Sequence, residues 1–228
     1  NPFMTVWDDQ MHVTENSLVT ASDGWHLQEY VVPNRKHLYH PLTMLSYAVE
    51  YKIAGPDAAV FHFINLFLHL CNILLVFWFV QLIARRKDIA LIAAFFFALH
   101  PMQVETVAWI SGRKDLLYGF FYLLALITYL TFSERNRWKF YILSLLLFAC
   151  SLMSKPTAVT LPVILLLVDY YKDRKFTTTT LLEKIPFFLL SVITGLIPFL
   201  YQKTTGDITD MSISSTLVDR LFLAGYAL

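Results

Sequence analysis

The spacing of charge constrains this chain more than any other feature. Between Asp57 and Arg85 lie 27 residues without a charged side chain. At about 1.5 Å per residue that run exceeds the roughly 30 Å hydrocarbon core of a bilayer. Further uncharged windows follow: 16 residues after Asp88, 18 after Asp115, 15 after Lys139, 13 after Lys155 and 18 after Lys184. Only 15% of the residues are charged and 57% are hydrophobic, against roughly 25% and 45–50% in a soluble domain. The sequence therefore predicts an integral membrane protein, an all-α polytopic bundle of transmembrane helices.

The 13- and 15-residue windows are short for a span, but flanking Lys and Tyr reach the interface. Two helices meeting at Lys155-Pro156 are favoured over one kinked helix, because Pro156 interrupts helical hydrogen bonding and Lys155 would otherwise sit in hydrocarbon. The expected count is about six complete spans plus a truncated one at 221–228. Residues 1–57 are expected to form an external loop with short interfacial helices, including 37–49, and residues 58–228 the bundle. The missing initiator Met and the abrupt apolar end are expected of an internal piece of a longer chain, truncated at both ends.

Several function classes are excluded. A net charge of +1 gives no bulk electrostatic attraction for nucleic acid. Seven glycines without clustered spacing leave no phosphate-cradling loop. Cys71 and Cys150 both fall in apolar runs, as packing residues do.

If the spans alternate, one side receives ten basic residues: Arg85, Arg86, Lys87, Arg135, Arg137, Lys139, Lys172, Arg174, Lys175 and Lys184. The opposite loops after the first span receive Arg113, Lys114, Lys155 and Lys203, with Arg220 at a boundary. The positive-inside rule places the first set in the cytoplasm. Acidic residues, not used in that assignment, sort the other way: twelve of seventeen fall outside. The non-cytoplasmic face is where chemistry is expected.

Four features on that face stand out. Asp8-Asp9 is a carboxylate pair suited to base catalysis or cation binding, although adjacent Asp residues commonly make turns and caps. His62, Asn65, His69 and Asn72, spaced by 3, 4 and 3, share one helical stripe that must face protein or water. An interhelical hydrogen-bond seam and a ligand lining both fit it, with His62 and Asn65 nearest the external end. After His100-Pro101, Glu105, Trp109 and Arg113 recur at four-residue spacing on an expected external helix. Arg113, Lys114 and Lys155 are cations on the side where basic residues are disfavoured. Interfacial anchoring is their ordinary role, and a lipid phosphate is the anion nearest to hand.

Trp7-Asp8-Asp9, Tyr39-His40-Pro41-Leu42-Thr43, Phe61-His62-Phe63-Ile64-Asn65, Ser154-Lys155-Pro156 and, most specifically, the run from His100-Pro101-Met102-Gln103-Val104-Glu105 to Ser111-Gly112-Arg113-Lys114-Asp115 resemble the transmembrane and tetratricopeptide-repeat-containing family, in wording nearest its bacterial members. The resemblance implies a GT-C-like glycosyltransferase that takes a sugar, mannose in eukaryotic relatives, from a polyprenyl-phosphate donor. It implies a protein Ser or Thr hydroxyl as acceptor, inversion at the anomeric carbon, and a bacterial inner membrane or endoplasmic reticulum membrane. The family's C-terminal tetratricopeptide repeats have no counterpart in these 228 residues. By resemblance Asp8 is the catalytic base with Asp9 supporting. Arg113 is the first choice for the donor phosphate, then Lys155 and Lys114. His40, His62, Asn65, His100 and Glu105 are candidates to bind the sugar or orient the cations. No metal or other cofactor is demanded, although the Asp pair and histidines leave a divalent cation open.

A transporter or lipid-handling protein is the rival from another class, and a membrane scaffold is a third. The first predicts ionisable groups spread through the bilayer depth. The scaffold predicts no convergence of Asp8 with Arg113 and Lys155.

Overall fold

A computed structural model describes residue 9, residues 13–20 and residues 40–205, with side chains as far as residue 196. Asp8, residues 37–39 and 221–228 lie outside the described residues. The described chain is helical, in the order α1 (Ser17–Thr20), α2 (Pro41–Ala54), α3 (Ala58–Ala84), α4 (Lys87–Leu99), α5 (Pro101–Ala108), a 3-10 turn (Ile110–Gly112) and α6 (Arg113–Arg135). Then follow α7 (Trp138–Ser154), a second 3-10 turn (Pro156–Thr160), α8 (Leu161–Tyr171), α9 (Thr178–Leu182) and α10 (Ile185–Thr205).

Helix boundaries follow the charges and the caps. Asp57 opens α3 by accepting a 2.9 Å hydrogen bond from the Ala59 amide, which satisfies one of the first-turn donors. Arg85 and Asn136 end α3 and α6 in the left-handed conformation, φ 55° and 50°. Asn tolerates that conformation because its short side chain bonds locally.

Every uncharged window is helical, but two are broken: the one after Asp88 at His100, and the one after Lys155 into a 3-10 turn and α8. Ala58–Ala84, Ile110–Arg135 and Thr178–Leu196 are three stretches long and apolar enough to cross a membrane. The pair Lys87–Leu99 and Pro101–Ala108 reaches that length jointly, bent by 57°. The bend sits where Pro101 lacks an amide hydrogen and cannot continue the ladder. Trp138–Ser154 and Pro156–Tyr171 are shorter apolar helices. Among the described residues, three helices reach a crossing length alone and the bent pair makes a fourth, while the two shorter apolar helices occupy the remaining two of the six windows. Lys155 stands between the two shorter helices in extended backbone, φ −155°, so the break expected there is present.

The core lies between α6, α7, α8 and α10, where Tyr129, Phe132, Phe148, Leu152, Leu165 and Phe187 are buried together. Small polar groups fasten α6 to α7: Ser144 donates to the Ala125 carbonyl at 2.8 Å and Ser151 to the Tyr118 carbonyl at 3.0 Å. Such bonds hold helices together where lipid removes the hydrophobic drive to associate. Outward, α3 and α4 expose Phe63, Phe67, Leu74, Trp78, Phe95 and Phe96. An apolar surface of that extent fits contact with acyl chains.

One end of the bundle carries an ionic knot. Lys184, expected as a loop cation, is instead buried, and its ammonium meets the carboxylate of Asp169 and the hydroxyl of Tyr129. The Tyr129 hydroxyl lies 2.8 Å from Asp169, and Arg174 reaches both Tyr129 at 2.9 Å and Glu183. α6, α8, the loop after α8 and the start of the last span are tied there.

Candidate functional site

The opposite end of α6 begins at Arg113, about 24 Å from Tyr129 by helical rise. There the chain makes two quick changes of direction. α5 stops at Ala108, Trp109 is extended at ψ 124°, and a single 3-10 turn leads into α6. Glu105, Trp109 and Arg113 therefore do not share one external helix, as their spacing had suggested. Gly112 makes the tight turn possible. A Cβ there would sit 2.4 Å from the Thr106 carbonyl oxygen.

The turn from 109 to 113 is held from three directions. Asp9, 1% exposed, accepts hydrogen bonds from the Ser111 amide at 2.9 Å and the Ser111 hydroxyl at 2.5 Å. The Tyr47 hydroxyl on α2 donates to the Ile110 carbonyl at 2.8 Å. Asn65 on α3 donates its amide to the Trp109 carbonyl at 2.9 Å.

Arg113 is the centre of this arrangement. It is 0% exposed. Its guanidinium donates to Asn65 Oδ1 at 2.8 Å, to the Phe61 carbonyl at 2.8 Å and to the Glu50 carboxylate. It also lies 4.9 Å from the Tyr47 ring centre, over its face. Arg113 is thus an internal strut joining α2, α3 and α6, not the outward-facing cation that the sequence pattern predicted. The buried partner Glu50 was not legible in the sequence, because Glu50 lies in a helix whose sequence reads as interfacial. Burial pushes the Glu50 carboxyl up to about 7, while the Arg113 charge and hydrogen bond pull it down.

The other two cations remain nearer solvent. Lys114 lies 5.6 Å over the Trp109 ring. The Lys155 ammonium pairs with the Asp115 carboxylate, the side chains 27% and 34% exposed. Asp115 also lines a cleft of 370 Å³ between α3, α4, α5 and α6, with Asn72, Gln103, Thr106, Tyr118 and Tyr122 among its walls. Asp115 is the residue that sequence reasoning passed over. A carboxylate directly after two cations on the sparsely basic side was the available signal.

The polar stripe on α3 is a seam. Asn65 and Asn72 donate to main-chain carbonyls of the facing segment, Asn72 to Leu116 at 3.0 Å. His69 stacks on Phe97 with centroids 5.8 Å apart. His62, half-buried, lines a separate hollow with Ala59, Leu66, Val107 and Ala108. His40 is buried at the start of α2. His100 is exposed and caps α5, its Nδ1 accepting from the Met102 amide at 3.3 Å. Glu105 is exposed on α5. Neither His100 nor Glu105 lines the cleft.

Asp9, Asn65, Arg113, Lys114 and Lys155 are therefore brought to one end of the bundle. Ser111 and Arg113 are two residues apart, so Asp9 is anchored within about 7 Å of chain from Arg113. Among the described residues no three His, Cys, Asp or Glu side chains gather as they would around a metal ion.

Residues 40–201 match the family described as dolichyl-phosphate-mannose-protein mannosyltransferase. The chain is 30% identical over 165 residues to the protein O-mannosyl-transferase Tmtc1 of Drosophila melanogaster, covering 68% of this chain and 19% of that protein. It is 30% identical over 211 residues to the protein O-mannosyl-transferase TMTC4 of Homo sapiens, covering 79% of this chain and 28% of that one. The mouse TMTC1 protein, also a protein O-mannosyl-transferase by name, is 30% identical over 144 residues. The chain spans less than a third of the length of these relatives. No solved structure matches it.

Proposed function

Because this chain is a TMTC-like member of the dolichyl-phosphate-mannose-protein mannosyltransferase family, we propose that it is a membrane glycosyltransferase moving a mannose-like sugar from a polyprenyl-phosphate donor to a protein hydroxyl. The observation that carries the reading is the convergence at one end of the bundle. Asp9 binds the turn that leads directly into Lys114 and Asp115, and Asp115 holds Lys155.

In this reading Asp8 removes the proton from a Ser or Thr hydroxyl of the acceptor, on the non-cytoplasmic face of a multi-pass protein. The hydroxyl oxygen attacks the anomeric carbon from the side opposite the phosphate. A carbon–oxygen bond forms as the bond to the phosphate oxygen breaks, and the configuration inverts. The lipid phosphodiester becomes a monoester and gains negative charge, which Lys155 and Lys114 stabilise. Asp9 is already an acceptor for two Ser111 donors, so its work is to hold the turn from 109 to 113. Arg113 anchors that turn from inside.

The test is transfer of labelled mannose from a polyprenyl-phosphate carrier to a protein acceptor by the intact protein in membranes or detergent. Lys155→Met is expected to raise KM for the donor tenfold or more, as loss of a charge-assisted contact does. The acceptor KM changes little. Absence of transfer from every polyprenyl-phosphate sugar supplied contradicts the reading.

A further inference from the structure

We propose that Asp115 is an exchangeable counter-ion for Lys155, which occupies the lysine when no lipid phosphate is bound and yields it when one enters. This rests on the reading above, in which Lys155 meets the donor phosphate.

Three observations lead there. Lys155 is placed by a helix break, in extended backbone between α7 and the 3-10 turn at Pro156, so its ammonium projects from a fixed point. The pair it makes with Asp115 is partly exposed, unlike the fully internal pair of Arg113 with Glu50. Partly solvated pairs contribute little net stability, so a competing anion has little to overcome in displacing the carboxylate. Asp115 itself belongs to the wall of the 370 Å³ cleft, whose lining combines polar Gln103, Thr106 and Tyr118 with apolar Val76, Phe97 and Leu123. An amphiphile with an anionic head and an apolar tail suits such a lining, and its head would reach Lys155 beside Asp115.

The carboxylate has two consequences. Without ligand it keeps a lysine at a membrane boundary paired, where a lone charge is costly. With ligand it competes with the phosphate for the same ammonium and so weakens the hold on the product monoester. Asp115 thereby sets product release.

The experiment titrates polyprenyl phosphate, carrying no sugar, against the intact detergent-solubilised protein. It therefore succeeds or fails separately from sugar transfer. Asp115→Asn is expected to bind polyprenyl phosphate about fivefold tighter or more than wild type. Asp115→Ser, smaller and neutral, shifts the same way, and Asp115→Glu restores wild-type binding. In a Lys155→Met background Asp115→Asn has no effect. In turnover, Asp115→Asn lowers KM for the donor and kcat together, because the monoester leaves slowly. A purely structural ion pair predicts weaker binding in every neutral variant. Weaker or unchanged binding in Asp115→Asn and Asp115→Ser, or tightening that survives Lys155→Met, overturns the proposal.

Discussion

At the residue scale, the same residue type serves opposite ends depending on what surrounds it. Arg113, Lys114 and Lys155 read alike in the sequence: three cations on the sparsely basic side of the chain. Arg113 is enclosed with Glu50, Asn65 and a main-chain carbonyl, while Lys155 keeps access to solvent. The difference lies in a partner 63 residues away in sequence, Glu50. Nothing in the spacing of either residue announces it. Glu50 carries a pH dependence whose sign follows from its raised pKa. In the folded chain it holds a proton up to about 7, against about 4.5 when free. The folded state therefore binds more protons between those values, and stability present below pH 4.5 is lost as pH rises towards 7. At most about 3 kcal/mol is involved, from the size of that shift. Melting of wild type should fall across this window relative to Glu50→Gln, and the two should converge near pH 4.5. Parallel curves count against the burial of Glu50 as its cause. Removing the other partner is harsher. Arg113→Met leaves Asn65 Oδ1 and the Phe61 carbonyl buried without their donor, while Glu50 stays protonated, and should cost about 3 kcal/mol or more, read as lost thermal stability.

At the element scale, the informative piece is the turn between α5 and α6. The sequence located its ends through Pro101 and the Arg113-Lys114-Asp115 run, and located the break at Lys155-Pro156. It misjudged what joins them, because four-residue spacing of Glu105, Trp109 and Arg113 imitates a helix face. The chain instead breaks at Trp109 and packs Gly112 against the Thr106 backbone, a tertiary constraint that periodicity does not register. Gly112→Ala tests this element. Its new methyl group meets the Thr106 carbonyl, so either the turn or α5 must shift. The expected result is lower melting by about 1–3 kcal/mol equivalent, together with loss of turnover beyond what stability explains, since Asp9 is bound to Ser111 next door. Full activity at normal stability contradicts a rigid turn. The α3 stripe is the converse case. Its 3-4-3 spacing was legible as a seam, and Asn65 and Asn72 make it one.

At the scale of the whole molecule, an all-helical membrane protein was readable from the charge-free windows alone. The straightness of each helix was not, because a window measures composition and not where an apolar run bends. Pro101 bends one window by 57°, and the chain breaks at Lys155-Pro156 where two helices were expected to meet. The sequence also spread the ionic knot over two loops, whereas Asp169 and Lys184 are buried against Tyr129. The knot fastens the far end of α6, and the Arg113 network fastens the near end. Asp169→Asn should destabilise the bundle by about 2–4 kcal/mol, because the buried Lys184 loses its nearest carboxylate and keeps only Glu183 at 3.9 Å. Its donor KM should stay within twofold at temperatures where it is folded, because the site lies at the other end of the helix. A selective rise in donor KM contradicts that division.

The most direct test of the central claim, base catalysis beside the Asp9-anchored turn, is the rate of mannose transfer from a labelled polyprenyl-phosphate donor by wild type, Asp8→Asn and Asp9→Asn. Wild type should transfer. Asp8→Asn should lose at least about 100-fold in kcat, the scale of one general base, with binding of polyprenyl phosphate unchanged. Asp9→Asn should lose less and should melt earlier, because its bonds to Ser111 weaken. Undiminished transfer by Asp8→Asn contradicts the account.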